Sequence, residues 1–122
     1  MNILKLGQNL GGSNRPSGGW LPTDESSLEA WYKKEAGITL NGSDVSAWAD
    51  SSTNSHNMVQ ATASEQPAYS SGVLTFDGAG ENLQSASDIS LSGDFTIGLV
   101  LSPVTPFGTV LGDNTTAGEW LR

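Results

Sequence analysis

The stretch AWYKKEAGITLNGSDVSAWADSSTNSHNMVQ, residues 30–60, holds two of the chain's four tryptophans. Trp31 and Trp48 each follow an alanine, and each has a charged residue two positions on. Between them, NGSD at 41–44 reads as a turn, because Asn and Gly accept the backbone angles of tight hairpins. VSAWAD then alternates, with Val45, Ala47 and Ala49 opposite Ser46, Trp48 and Asp50, as a half-buried strand does. SSTNSHN, residues 51–57, has loop composition. Upstream, LEAWYK places Leu28, Ala30 and Tyr32 on one face and Glu29, Trp31 and Lys33 on the other. It reads as a strand, or as a short helix capped by Ser26 or Ser27 and stopped by Gly37.

Downstream, the same rhythm continues in short apolar pieces. These are MVQA, the Pro67–Tyr69 stretch, GVLTFDG, ENLQSA, DFTIGLVLS and GTVLGD. In the longest, Phe95, Ile97, Leu99 and Leu101 share one face, with Thr96, Gly98, Val100 and Ser102 on the other. Phe76 and Phe95 are expected in the core, and Gly78 in a turn that needs positive φ. Strands at such intervals, separated by turn signals, predict an all-β antiparallel β-sandwich.

Composition fits that class. The 122 residues are 36% hydrophobic, with 15 glycines and no cysteine, so neither a disulfide framework nor a thiolate metal site can form. No apolar run nears the roughly 20 residues of a membrane span. No signal peptide is read at the N-terminus. The formal net charge is −8, and the five basic residues are scattered. Such a field repels nucleic acid and anionic membranes; it is compatible with neutral sugars or cations as ligands and selects neither.

Two parts follow from the patterning. Residues 1–22 form a Gly/Ser/Asn/Pro-rich arm that buries too little surface to offset its ordering entropy. Its apolar residues Ile3, Leu4, Leu6, Leu10 and Trp20 are candidate anchors for docking on a partner; the alternative is a disordered leader. Residues 23–122 form the β domain.

Several residues resemble one known family in their order. Ala30-Trp31-Tyr32, then Val45, Trp48 and Asp50, then Gln60 and Ala61, Gln66, Pro67 and Tyr69, Phe76-Asp77-Gly78 and Leu83 follow the series of the laminin-G-like branch of the concanavalin A-like lectin/glucanase superfamily. The resemblance runs from Leu28 to Pro103. It implies a jelly roll in which Trp31 and Trp48 sit on neighbouring early strands and fill the core. Domains of this type are frequent in virion structural proteins of tailed phages, and MNILKLGQNLGGS resembles anchoring leaders of some phage structural proteins. The resemblance therefore implies a non-enzymatic virion protein, docked through its arm to other virion proteins within an oligomer or larger assembly. Family domains use more chain than this one. That departure implies a portion of a longer protein, or a subunit whose open edge is completed by neighbours.

Catalysis finds little support in the residues. Superfamily glucanases cluster carboxylates on one strand face, whereas Asp77 and Glu81 flank turn glycines and Asp24-Glu25 is a loop pair. His56 lies in a loop with no Ser or Cys partner motif. Asp50, Asn54 and Asn57 could curl around a calcium ion, with Asp113 and Asn114 as a second group, although Asp and Asn also serve turns. No metal site and no cofactor is assigned on these residues. The second function the family implies is recognition of cell-surface glycans. Trp20, Tyr69 and Trp120 are the aromatic candidates for stacking on a sugar, beside loop groups such as Asp50, Asn54 and Asn57.

Overall fold

A computed structural model describes residues 19–102, 111–112 and 120–121. Over these residues the chain is all-β, with one six-stranded antiparallel sheet, one two-stranded sheet, and helix limited to single 3-10 turns at Pro22–Asp24 and Ala63–Glu65.

The sheet is built around β2 (Asp44–Trp48). β1 (Ile38–Asn41) forms a hairpin with it, closed by Gly42 and Ser43. Gly42 has φ +68°, the left-handed value that the first central position of a type II′ turn demands. Thr39 faces Ala47 and Leu40 faces Val45, so Ser46 is an extra residue, a β-bulge. The Ser46 hydroxyl donates to the Thr39 carbonyl at 3.2 Å. The other edge of β2 is shared: β4 (Ala68–Ser70) pairs at Asp44, and β3 (Met58–Val59) pairs at Ala47 and Trp48. β5 (Val73–Thr75) extends the sheet beyond β4, and β6 (Gln84–Ser85) extends it beyond β3. The second sheet pairs β7 (Leu111–Gly112) with β8 (Trp120–Leu121).

Several sequence expectations are corrected here. Leu28–Lys33 is neither strand nor helix. The Trp31 N–H is given to the Asp50 side chain, not to a strand carbonyl, so no ladder starts. Trp31 therefore does not lie on a strand neighbouring that of Trp48, although both rings are half-buried. Residues 94–102 also form no strand. Their alternation is real, but a strand exists only when a neighbour accepts its hydrogen bonds, and the described residues offer none. Phe95 is thus 56% exposed, and Phe76, just past β5, is 52% exposed, against the core positions expected for both. Gly78, at φ +84°, does serve a turn.

The core among the described residues is small and partly polar. Val45 and Pro67 are fully buried, and Gln60 and Gln66 are the buried polar side chains. Gln66 Nε2 donates to the Gln60 carbonyl at 2.7 Å, and Gln66 Oε1 accepts from Asn41 Nδ2 at 3.1 Å. Gln60 Nε2 reaches Asn82 Oδ1 at 2.9 Å, and its Oε1 accepts the Thr62 N–H at 2.9 Å. These amides tie the β3–β4 connection to the β1–β2 hairpin, and no buried side-chain polar atom among the described residues lacks a partner.

Candidate functional site

The densest polar construction follows β2, where the chain leaves the sheet at Asp50. Asp50 Oδ1 accepts the N–H groups of Trp31 and Ser52, each at 2.8 Å. Oδ2 accepts the Ser52 hydroxyl at 2.5 Å and the His56 N–H at 3.0 Å. Asp50's own N–H goes to Asn57 Oδ1 at 3.0 Å. Asn54 Nδ2 spans to the carbonyls of Leu28 and Glu29, at 2.8 and 2.9 Å. One side chain thus curls the 50–57 loop and staples the 28–31 segment to it. Burial alone would raise the Asp50 pKa, but the Ser52, Trp31 and His56 donors outweigh it and hold the carboxyl below its ordinary value.

An aromatic layer rests on this hub. Tyr32 and Trp48 meet with ring centroids 5.6 Å apart at 54°. The Trp48 indole N–H is shared between the Ala36 and Lys33 carbonyls at 3.0 and 3.1 Å. The Lys33 ammonium lies 4.9 Å from the centroid of the Trp31 ring. The Tyr32 hydroxyl donates to the His56 carbonyl. Burial, followed by the charge of Asp50, raises the Tyr32 pKa, with a Ser85 contact acting the other way. His56 is half-buried and its Nδ1 meets the Ser87 hydroxyl at 2.9 Å, a partner distant in sequence that no local motif announces.

Next to the hub lies a shallow cleft of about 110 Å³, lined by Thr23, Glu25, Ser26, Leu28, Ser51, Ser52 and Thr53. Exposed Trp20 is tied to one of the lining residues, its indole N–H donating to Glu25 Oε1 at 3.1 Å. The cleft is well below the roughly 300 Å³ at which small-molecule pockets begin, so it fits the edge of one ring, not a whole ligand.

The predicted site residues fall into separate groups. Asp50, Asn54 and Asn57 are brought together, but the polar atoms just named already serve groups of the loop itself and of residues 28–31. The described residues contain no group of three or more His, Asp or Glu side chains placed to hold a metal ion. Tyr69 is half-buried on β4, facing Leu74 of β5, away from that loop in the sheet order. The Trp120 backbone pairs with Gly112 in the second sheet. Ile3, Leu4, Leu6, Leu10, Asp113 and Asn114 lie outside the described residues. The Glu81 carboxylate accepts the Asp77 N–H and Asp77 Oδ1 accepts the Ala79 N–H, so both acids close a turn. The roles of Ser52 and Glu25 were not foreseen. The D-S-S triplet, a combination that hydrogen-bonds its own backbone, could have pointed to Ser52.

Comparison with protein families, with curated proteins and with solved structures finds no match for this chain. Among the described residues, no helix is long and apolar enough to cross a membrane.

Proposed function

We propose that this chain is a non-enzymatic structural protein of a tailed-phage virion. In this reading a concanavalin A-like jelly-roll sandwich is displayed on the particle, and residues 1–22 dock on neighbouring virion proteins. The observation that carries an assembly role is the apolar run from Phe95 to Leu101, in which Phe95, Ile97, Leu99 and Leu101 are 40–56% exposed and Val100 is fully exposed. Soluble monomers rarely leave a contiguous apolar row in water, and such rows mark surfaces that another protein covers. The order of aromatic and acidic residues from Leu28 to Pro103 supports the virion assignment by resemblance. The experiment is co-sedimentation with purified virions of the source phage. The full chain is expected to pellet with the particles. A chain lacking residues 1–22 is expected to keep its β-type circular dichroism and to stay in the supernatant. Equal pelleting would remove the arm's role, and failure of both to pellet would remove the virion reading.

A second reading, recognition of cell-surface glycans, is favoured by the cleft beside Trp20. Its hydroxyls from Thr23, Ser26, Ser51 and Thr53, with the Glu25 carboxylate, offer donors and acceptors to a sugar edge, while the exposed indole offers a stacking face. A glycan array probed with wild type and with Trp20→Ala tests it. Binding lost in the variant is the expected result, and blanks for both proteins, with and without calcium, contradict it.

A further inference from the structure

We infer that Asn41 is a self-modification site, where loss of the side-chain amide uncouples the β1–β2 hairpin from the buried glutamine pair. Asn41 is exposed at the end of β1, immediately before Gly42. Gly42 brings no side chain of its own to hinder its backbone nitrogen, and a Cβ built on it meets nothing within 4 Å, so the side-chain side of the turn is open. In the reaction that nitrogen attacks Asn41 Cγ. The new C–N bond closes a five-membered imide, and Nδ2 leaves with a proton as ammonia. Water then opens the imide at either carbonyl, giving aspartate or an iso-linked aspartate. The strand geometry of Asn41 must relax for the ring to close, so local opening of this hairpin gates the step.

The other described asparagines are protected in two ways. Asn54, Asn57 and Asn82 precede Ser55, Met58 and Leu83, whose side chains hinder the attacking nitrogen. Their amides are also pinned: Asn54 to two carbonyls, Asn57 to the Asp50 N–H, and Asn82 between Gly80 and Gln60. Asn41, like Asn57, has one side-chain contact, here to Gln66 Oε1, so the glycine that follows it is what sets it apart.

That contact makes the product costly. Gln66 is 5% exposed, and its Nε2 is committed to the Gln60 carbonyl, so Oε1 must face Asn41. A carboxylate at position 41 sets acceptor against acceptor. Turning the Gln66 amide would break its bond to Gln60 and leave a buried group unpaired. The new charge also sits opposite Asp44, its register partner.

The test is storage of the full chain at mildly alkaline pH, followed by peptide mapping with detection of iso-linked aspartate. The product is expected at residue 41 before residues 54, 57 or 82, and to be absent from Asn41→Gln stored alongside. Asn41→Asp is expected to melt below wild type when fresh. First conversion at another of these asparagines, or none at Asn41, overturns the site. A melting temperature of Asn41→Asp equal to wild type overturns the coupling to Gln66.

Discussion

Replacing Asp50 with alanine is expected to lower the unfolding free energy by about 3 kcal/mol, the scale for charge-assisted hydrogen bonds lost together from a partly exposed site. The loss concentrates there because one carboxylate serves four donors from three places in the sequence: Trp31, Ser52 twice, and His56. Without it, two short loops lose their shared anchor and three N–H groups lose their acceptor. Chemical denaturation read by tryptophan fluorescence measures the effect, and a change within about 0.5 kcal/mol, typical of neutral surface positions, would show that the hub carries no stability. A pH signature accompanies it. The folded-state pKa of Asp50 lies below its unfolded value. Its stabilisation is therefore complete above the ordinary carboxylate range and is lost as pH falls through the depressed value. Asp50→Asn should lose stability at neutral pH and show a shallower acid decline than wild type. A parallel decline in the two proteins would contradict the assignment.

The second large effect belongs to Trp48. Truncation to alanine is expected to cost about 3 kcal/mol, the low end for large aromatic truncations because the ring is half-buried. The side chain makes two kinds of contact at once. Its ring packs on Tyr32 at 5.6 Å, and its N–H serves the Ala36 and Lys33 carbonyls in the turn before β1. Trp48→Phe separates the terms: it keeps the packing, frees the carbonyls to water, and should recover more than half of the loss. Equal destabilisation by Phe and Ala would assign the whole effect to the indole hydrogen bonds.

Much of the sheet was legible because its signals are local. The alternation of VSAWAD and the turn chemistry of NGSD reappear as β2 and its hairpin, and MVQA, Ala68–Tyr69, GVLT and the QS of ENLQSA supply four further strands. β1 was missed, although ITLN next to Asn-Gly carries the same alternation. The errors arise where pairing overrides pattern. LEAWYK alternates, yet Asp50 takes the Trp31 N–H. The segment after Asp94 alternates over more residues than any other, yet with no strand neighbour among the described residues it is exposed and irregular. At the candidate site, the spacing of oxygen-bearing side chains in a turn-rich loop singles out Asp50, Asn54 and Asn57, of which the resemblance includes Asp50. Spacing could not reveal whether their oxygens face inward to backbone donors or outward to a ligand, because that depends on where residues 28–31 run. The cleft at Glu25 was illegible for the same reason, being assembled from segments about 25 residues apart.

Amide hydrogen exchange resolved to single residues tests most directly whether the Asp50 carboxylate joins the loops to the sheet. The N–H groups of Trp31, Ser52 and His56 are expected to exchange slowly, alongside those of Val45, Gln60 and Tyr69 within the sheet, and to become fast together in Asp50→Ala. Rapid exchange at Trp31, Ser52 and His56 in the wild-type chain, with the sheet amides still protected, would contradict the account.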